Sequence, residues 1–303
     1  MTSSVTVVIA TRDRPEMMRE ALASVLEQDY AGPVEVILVF DQAEPELDLA
    51  TEADPLRRVV VTTNGRSPGL AGARNTGITA SQSDYVAFLD DDDLWLPGKL
   101  GAQVALLDAD PEAVLATTGI VVDYDGERHP RVLPQPTVGL ADLLRDRHTE
   151  LHPSTFVARR SALLGPVGLV DQEVPGGFGE DYDLLLRAAK VHPILNVTEP
   201  LTRVRWGAQS FFFRRWPMMA EGLTWMLARH PEFASSPRGS ARIRGQIAFA
   251  HAAMGHRREA LRWAATAVRR SPVEPRVPLA VAVALGLSPD LVMTRLHKHG
   301  RGI

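Results

Sequence analysis

The residues best suited to chemistry are four consecutive aspartates, residues 90–93, in the stretch YVAFLDDDDLWLPGKL. They directly follow residues 85–89, whose apolar, β-branched and aromatic side chains predict a short strand buried on both faces. Four adjacent carboxylates repel one another unless cations or hydrogen-bond donors hold them. Oxygen ligands suit Mg²⁺ or Mn²⁺, and in an extended chain Asp90 and Asp92 point to the same side. The pattern therefore favours a divalent-metal site.

The alternative for this stretch is a solvated acidic turn. Asp93 would then cap a helix predicted for residues 97–107, since Pro97 suits a first helical position. Trp95 follows the aspartates, and a tryptophan at this place more often packs against the helix that follows.

A second group of carboxylates, Glu180, Asp181 and Asp183, stands at the start of a predicted helix. An acidic residue in the first turn is commonly just a cap, and that explanation covers one of the three. The preceding loop, residues 176–179, contains three glycines and is therefore costly to order. Such a loop suits a place where backbone meets ligand.

The elements that position these residues alternate between strand and helix. Residues 5–9, 34–40 and 59–61 predict strands, and Pro15 opens a predicted helix with apolar residues at helical spacing. This order predicts an α/β fold with a doubly wound, mostly parallel sheet. Ligands of such sheets bind outside the carboxyl ends of the strands, where the polar residues Thr11, Arg12, Asp13, Asp41 and the aspartates from 90 onward all fall.

The remaining segments are less specific. The glycine-rich segment 64–77 could approach a phosphate, but it matches neither the P-loop nor the dinucleotide-binding pattern. Residues 123–136 predict a surface excursion or hairpin, and residues 152–160 predict a strand leading into a short helix. Apolar stripes within residues 243–254 and 261–268 predict an αα-hairpin.

Composition bounds the class of protein. The chain has 303 residues, is 45% hydrophobic and 23% charged, and contains no cysteine, which excludes disulfides and thiolate metal sites. Its amino terminus predicts a first strand and no signal peptide, and no apolar run reaches the ~20 residues of a membrane span, so a cytoplasmic protein is expected. No motif indicates a nucleic-acid partner.

Charge is unevenly distributed along the chain. The net charge is −4, yet residues 237–303 hold 12 Arg and Lys against 3 Asp and Glu. This basic tail is suited either to peripheral contact with acidic membrane lipids or to a solvated helical surface, and the second is the more common case.

The spaced motifs together resemble family 2 glycosyltransferases of the GT-A fold. The resemblance spans residues 5–187 and is carried, in order, by VVIATRDRPE, EVILVFDQ, GLAGARNTGI, YVAFLDDDDLWLPGKL, HPSTFVARRSALLGPVGLVD and GEDYDLLLRAA. It implies a catalytic domain over residues 1–210 and a helical extension over residues 211–303. It also implies an inverting, Mn²⁺- or Mg²⁺-dependent transfer of one sugar from a nucleotide-diphospho-sugar to a hydroxyl of a glycan, a lipid-linked glycan or a small molecule.

The resemblance also implies roles for single residues. The nucleotide sugar would be bound by Thr11, Arg12, Asp13, Asp41, Arg74, Asp90 and Asp91, with Asp41 at the base edge and Asp90 towards the ribose. Asp92, together with Asp90, would hold the metal that bridges the diphosphate. Asp181 would be the general base, with Glu180 raising its proton affinity.

The chain departs from the family pattern at three places. Phe40 and Gln42 flank a single acidic residue where many relatives have two, which leaves the base preference open. The stretch 203–207 contains no histidine as a further metal ligand, and Arg205 could contact the diphosphate instead. Residues 209–213 do not form Q-x-x-R-W, which favours transfer of a single sugar. His152 lies towards the expected acceptor side, although a lone histidine is more often structural. Trp95 could stack on the sugar, with packing against the following helix as the alternative.

Two other functions are compatible with these features. A sugar nucleotidyltransferase shares the nucleotide-binding architecture, but no glycine-rich basic loop follows the first strand. A catalytically idle module that binds a partner through its helical tail would leave the intact acidic residues unexplained.

Overall fold

The computed structural model describes residues 2–124, 126–206 and 215–297, apart from the side chains of Ala53 and His297. The domain boundary predicted after residue 210 and the segment 209–213 lie outside these residues. The described strands are β1 (Val5–Thr11), β2 (Val34–Phe40), β3 (Thr51–Asp54), β4 (Arg57–Thr63), β5 (Tyr85–Asp90), β6 (Leu94–Trp95), β7 (Leu115–Tyr124), β8 (Glu127–Arg131), β9 (Thr137–Val138), β10 (Val157–Arg159) and β11 (Ile194–Arg205).

The first described helix begins at Pro15, as predicted. The described helices are α1 (Pro15–Leu26), α2 (Leu70–Ala80), α3 (Lys99–Ala109), α4 (Leu140–Arg145), α5 (Arg160–Leu163), α6 (Glu180–Val191), α7 (Trp216–Arg229), α8 (Pro237–Ala253), α9 (Arg257–Arg270), α10 (Arg276–Ala284) and α11 (Pro289–His297). Short 3₁₀ turns occupy Leu47–Leu49, Pro153–Thr155, Pro175–Gly177 and Pro231–Ser235. None of the described helices is both long and apolar enough to span a membrane.

The described residues divide into two compact units. One contains the described parts of Met1–Leu140, His148–Gln172 and Glu180–Ala208, and the other those of Ala141–Arg147, Glu173–Gly179 and Gln209–Ile303. We call them the sheet unit and the helical unit.

The sheet unit is built on one large mixed sheet of order β3-β4-β2-β1-β5-β10-β7-β11-β6, with β8 paired to β7 and β9 to β11. Its longest pairings, β4 with β2, β2 with β1, β1 with β5 and β7 with β11, are parallel. The α/β fold predicted from the order of strands and helices is therefore confirmed. Antiparallel β10 lies between β5 and β7, which the sequence pattern did not indicate.

The core of the sheet unit explains why β5 reads as a continuous apolar run. Residues 85–89 are all at most 1% exposed, because both faces of β5 are covered. The excursion predicted at residues 123–136 contains a hairpin, in which β8 pairs antiparallel with β7. Helix α3 begins two residues later than predicted, since Gly98 precedes it in the left-handed region at φ +83°.

The helical unit contains the predicted αα-hairpin as α8 and α9. Its core is rich in alanine, which lets helices pack closely, and consists of Ala248, Phe249, Ala252, Ala260, Ala264, Ala280, Val283, Ala284, Val292 and Met293. This core is shared by α8, α9, α10 and α11. The predicted stripes are confirmed only in part: Ile243, Ile247 and Ala250 of the first are buried. In the second, Ala264 belongs to the core, whereas Leu261 and Val268 are exposed.

Candidate active site

The strand register brings the first group of predicted residues to one edge of the sheet. Thr11 at the end of β1 pairs with Phe40, the residue before Asp41, and Ala10 pairs with Asp90 on β5. Because parallel strands end together, three polar segments that are far apart in sequence meet at this edge. We call the group of Asp90, Asp91, Asp92, Asp93, Glu180 and Asp181 the acidic cleft.

Asp91 anchors the loop that follows β1. Its carboxylate accepts a hydrogen bond from Thr11 Oγ1 at 2.9 Å and faces Arg14 Nη1 at 3.1 Å. Arg14 Nη1 also lies 2.7 Å from Asp92 Oδ2. Burial raises the pKa of Asp91, and these donors oppose the rise. Asp91 is thus held by the protein itself, although the resemblance assigned it to the nucleotide sugar.

The loop after β1 also carries two exposed charged residues. Arg12 and Asp13 are exposed, with the Arg12 Nε 3.6 Å from Asp13 Oδ2. Asp13 has φ +54°, a backbone conformation that is uncommon for a residue other than glycine. Neither side chain contributes to the core, so both are accessible at the edge of the acidic cleft.

Arg74 links the two acidic segments predicted from the sequence. It is 3% exposed, and its guanidinium donates to Asp90 Oδ1 at 2.6 Å and to Glu180 Oε1 at 2.9 Å. Asp181 contributes to the same electrostatic field at Arg74. Residues 90–93, which begin at the last residue of β5 and which we call the aspartate turn, therefore lie close to the start of α6. A buried arginine on α2 joins the two segments.

Glu180 has an unusual proton affinity. Burial raises its pKa to about 7, the positive charge of Arg74 opposes this rise, and the negative charges of Asp181 and Asp90 add to it. Glu180 is consequently poised to exchange a proton near neutral pH next to Asp181, which is half-buried.

Asp93 does not cap α3. It is 1% exposed, accepts a hydrogen bond from Ser154 Oγ at 2.6 Å and another from the backbone N–H of Arg205 at 3.2 Å. The Ser154 hydroxyl in turn accepts from the backbone N–H of Asp90 at 3.1 Å. Asp93 thus ties the end of β5 to the 3₁₀ turn at Pro153–Thr155 and to β11.

His152 and Arg205 lie at the same junction. His152 Nδ1 is 3.3 Å from Asp93 Oδ2, and its side chain is 26% exposed. The side chain of Arg205 pairs with Glu20. Among the described residues, Asp90, Asp93 and His152 place one potential ligand atom each within 4.8 Å of one another.

Trp95 packs inside the protein. It is 3% exposed, its Nε1 donates to the carbonyl of Ser154 at 2.8 Å, and the Lys99 ammonium lies 3.9 Å from the centre of its ring. The packing alternative for Trp95 describes this arrangement, since the face of the ring is already covered by a cation.

Asp41 borders a cleft at the carboxyl ends of β2 and β4. Its two oxygens accept from Asn64 Nδ2 at 2.7 Å and from the backbone N–H of Gly69 at 3.0 Å. The adjacent cleft has a volume of ≈ 450 Å³ and is lined by Phe40, Asp41, Gln42, Ala43, Glu44, Thr63, Asn64, Arg66 and Pro68. This volume lies within the ~300–1,000 Å³ typical of small-molecule sites.

The aspartate turn is chemically suited to a divalent cation. Burial raises the pKa of Asp92, and the neighbouring Asp90 adds to the rise; burial raises the pKa of Asp93 further, helped by Asp90 and Asp92. Burial and the neighbouring carboxylates thus both disfavour the ionised forms, and a bound cation would oppose this effect. An all-oxygen donor set of this kind fits Mg²⁺ or Mn²⁺.

Asp92 offers a more accessible oxygen to a cation than Asp93 does. The Asp92 side chain is 34% exposed and contacts the half-exposed Arg14, whereas both oxygens of buried Asp93 are occupied by internal donors. The assignment of Asp90 and Asp92 as metal ligands stays a prediction, since the potential ligand atoms that lie within 4.8 Å of one another among the described residues belong to Asp90, Asp93 and His152.

The sequence reasoning missed three residues of this site. Arg14 neutralises part of the aspartate turn, Ser154 bridges Asp93 to the backbone of Asp90, and Asn64 holds Asp41. Arg14 lies next to the predicted strand end and could have been found by its position. The contacts of Ser154 and Asn64 carry no local sequence signal, because their partners are 64 and 23 residues away.

Comparison with known proteins identifies the family. Residues 6–164, more than half of the chain, match the sequence model of "Glycosyl transferase family 2". The chain belongs to this family and is a glycosyltransferase, as the spaced motifs predicted.

Two relatives illustrate the range of similarity. The amylovoran biosynthesis glycosyltransferase AmsE of Erwinia amylovora is 27% identical over 216 residues, which cover 70% of this chain and 79% of AmsE. The Escherichia coli UDP-Glc:alpha-D-GlcNAc-diphosphoundecaprenol beta-1,3-glucosyltransferase WfgD is 28% identical over 103 residues, 34% of this chain and 40% of WfgD.

Solved structures share the fold at low identity. TarS 1-349 of S. aureus in complex with UDP-GlcNAc superposes with a TM-score of 0.60 at 15% identity and covers 98% of this chain and 92% of that one. The mannosyltransferase PcManGT from Pyrobaculum calidifontis in complex with GDP-Man and Mn2+ gives 0.57 at 16% identity, over 97% and 84%. These similarities confirm the GT-A architecture.

Proposed function

We propose that the protein is an inverting glycosyltransferase that moves one sugar from a nucleotide-diphospho-sugar to an acceptor hydroxyl and depends on a divalent metal. The observation that carries this proposal is the contact of buried Arg74 with both Asp90 and Glu180. It joins the aspartate turn, suited to a metal and a diphosphate, to the start of α6, suited to proton transfer.

The nucleotide would bind along the strand ends. The cleft beside Asp41 would take the base, and the exposed Arg12 and Asp13 would face the remainder of the donor. Because Asp41 is held by Asn64 and Gly69, its carboxylate is fixed before a ligand arrives, which lowers the entropic cost of binding. Relatives that act on different donors belong to this family. The base and the sugar of the donor are therefore identified by the donor panel described below.

Asp90 and Asp92 would hold Mg²⁺ or Mn²⁺. When bound, the metal would neutralise the charge that grows on the leaving diphosphate. When no metal is bound, Arg14 would neutralise part of the negative charge of Asp91 and Asp92. Asp93, Ser154 and the 3₁₀ turn would keep the aspartate turn in place, since their hydrogen bonds fix the backbone of Asp90.

Asp181 would accept the proton of the attacking hydroxyl. Inverting transfer needs a carboxylate on the side of the sugar opposite the leaving group, and this base must lie within hydrogen-bonding reach of the hydroxyl. Glu180, with a pKa of about 7, would carry little negative charge below pH 7, while Arg74 holds it beside Asp181. We propose an acceptor hydroxyl on a glycan or lipid-linked glycan, as the biosynthetic relatives AmsE and WfgD suggest.

A donor panel tests this proposal. The protein is incubated with nucleotide sugars in Mn²⁺, in Mg²⁺ and in EDTA, and release of nucleoside diphosphate is followed. We expect slow metal-dependent hydrolysis of one donor, with the first-formed sugar of inverted anomeric configuration by NMR. Retention of configuration would contradict the inverting mechanism, and exchange with pyrophosphate would indicate a nucleotidyltransferase instead.

A matched pair of variants locates the metal. Asp92→Asn should abolish the metal-dependent hydrolysis, whereas Asp48→Asn, the same change at an exposed site outside the acidic cleft, should leave it unchanged. Equal activity in Asp92→Asn and Asp48→Asn would remove Asp92 from the metal site.

A further inference from the structure

The helical unit contains a second charged cleft that the glycosyl transfer does not use. It has a volume of ≈ 270 Å³, and its charged lining residues are Arg145, Asp146, Arg238, Arg242, Glu274 and Arg276. Four guanidiniums thus face two carboxylates. We call this group the basic cleft.

Close packing against α8 creates the basic cleft. A Cβ at Gly239 would lie 1.7 Å from the carbonyl oxygen of Leu144, so only glycine lets the end of α4 approach so closely. A Cβ at Gly245 would lie 3.0 Å from the Cβ of Arg276 on the other side. Backbone packing therefore places Arg145 and Arg276 beside the arginines of α8, even though these like charges repel one another.

Internal carboxylates neutralise only one side of the basic cleft. Glu274 Oε1 lies 2.9 Å from Arg276 Nη1 and also accepts from the backbone N–H of Arg276 at 3.2 Å. The Arg276 Nε is buried without a hydrogen-bond partner in the described part of the chain. One carboxylate oxygen of Asp146 accepts a hydrogen bond from the backbone N–H of Arg147 at 2.7 Å. Glu274 is thus paired with Arg276, whereas, within the described residues, the carboxylate of Asp146 is hydrogen-bonded only to the neighbouring backbone.

Two exposed arginines of the basic cleft carry uncompensated positive charge. Arg145 and Arg238 are exposed and make no side-chain hydrogen bond or ion pair with any residue that the structure describes. Arg242 lies deeper, at 8% exposure. Guanidinium groups repel one another and match the geometry of phosphate oxygens, so this arrangement is suited to an anion with several oxygens.

The size and lining of the basic cleft limit the class of ligand that it can bind. A volume of ≈ 270 Å³ is slightly below the ~300–1,000 Å³ of sites that enclose drug-sized molecules, which suits a phosphate or diphosphate group and not a whole sugar nucleotide. Val273, 80% exposed, lies at the rim and could contact an apolar group attached to the phosphate. We propose that the basic cleft binds a phosphate or diphosphate group, either free or as the head group of a lipid. This proposal does not depend on the mechanism of sugar transfer.

The test compares two double variants that lose the same charge. Arg145→Gln/Arg238→Gln removes the two unpartnered guanidiniums of the basic cleft, and both positions are exposed, so folding should be preserved. Arg258→Gln/Arg262→Gln is the control, because both arginines are exposed on α9 and do not line the basic cleft. Circular dichroism and the melting temperature verify that all three proteins are folded.

Two kinds of probe distinguish the sources of the phosphate. Inorganic phosphate and pyrophosphate are titrated by calorimetry in EDTA without donor, and phosphatidylcholine vesicles with and without phosphatidylglycerol are tested by co-sedimentation. We expect at least fivefold weaker binding of one probe type in the cleft variant and unchanged binding in the control. Response to the inorganic anions alone would identify a free phosphate ligand, and response to acidic vesicles would identify a lipid head group.

Other results would overturn the proposal. Equal weakening in both double variants would mean that only the net charge of the helical unit matters. Absence of binding to phosphate, pyrophosphate and acidic vesicles alike would mean that the basic cleft has no phosphate ligand. Unchanged binding in Arg145→Gln/Arg238→Gln would place any anion elsewhere on the protein.

Discussion

The acidic cleft and the basic cleft contain the same kinds of charged side chain in opposite balance. In the acidic cleft, Arg14 and Arg74 face six carboxylates and are both hydrogen-bonded to them. In the basic cleft, four arginines face two carboxylates, and Arg145 and Arg238 have no partner within the described ranges. The comparison teaches that the balance of charge decides what a charged cleft can bind: an excess of carboxylates over cations favours a cation, and guanidiniums without a partner favour an anion.

The largest expected effect is the loss of transfer on removal of the proposed base, with donor binding retained. Asp181→Asn removes the proposed base and one negative charge but keeps the shape of the side chain. We expect transfer to fall by roughly 10²–10⁴-fold, because general-base catalysis contributes about that much, while donor binding is retained. Steady-state kinetics and donor calorimetry measure the two quantities. Asp48→Asn is the matched control, and a wild-type rate in Asp181→Asn would show that another group takes the proton.

The next effect concerns the buried arginine that joins two carboxylates of the acidic cleft. Arg74→Gln leaves Asp90 and Glu180 without their shared cation, and removing one partner from a buried ion pair costs about 3–5 kcal/mol. We expect a corresponding loss in the free energy of unfolding of the sheet unit, measured by urea denaturation. Arg74→Gln/Glu180→Gln should recover part of it, because one uncompensated carboxylate is gone. A double variant no more stable than Arg74→Gln would contradict this account of Arg74.

The pH dependence of stability tests the raised pKa of Glu180. Its pKa lies at about 7 in the folded protein and at 4.5 without the fold, so the folded state binds the extra proton between these values. Stability should therefore fall as pH rises from about 4.5 to 7 and then level off, by about 3 kcal/mol for this group. Urea denaturation across this range, in EDTA, should show a shallower decline for Glu180→Gln than for the wild type. The exposed Glu112→Gln is the control, and identical slopes in all three proteins would refute the raised pKa.

The smallest effect tests how the basic cleft is assembled. Gly239→Ala places a methyl group 1.7 Å from the carbonyl oxygen of Leu144, so the end of α4 must move. Overpacking of this kind typically costs about 1–3 kcal/mol, and we expect a lower melting temperature together with weaker phosphate binding. Gly101→Ala within α3 is the contrasting change, since a Cβ there meets nothing within 4 Å. Unaltered stability and phosphate binding in Gly239→Ala would show that this close approach does not shape the basic cleft.

Local patterns predicted the elements better than the site. Pro15 opens α1 as predicted, and the stripes at 243–254 and 261–268 lie in α8 and α9. Periodicity locates these helices because a helix buries one face at a fixed spacing, although Leu261 and Val268 of the second stripe are exposed. Strand β10 and the short helix after it were predicted within residues 152–160. The antiparallel place of β10 between β5 and β7 was not predicted, since strand order depends on contacts between distant segments.

Within the site, the sequence located the carboxylates but not their states. Residues 90–93 are chemically identical, yet Asp91 anchors a loop, Asp92 faces a half-exposed arginine and Asp93 is enclosed by Ser154 and Arg205. Arg74 was predicted as a nucleotide contact, and its role there stays a prediction. The structure shows both of its terminal nitrogens donating to carboxylates inside the protein.

The sequence by itself determined the family, the α/β class and the identity of the acidic segments, because motifs and hydrophobic periodicity are properties of neighbouring residues. Only the tertiary structure decided which carboxylates are neutralised, which stay accessible, and which arginines remain without a partner. Those outcomes depend on burial and on distances between residues that are far apart along the chain. The electrostatic character of each cleft is therefore a property of the fold and not of its composition.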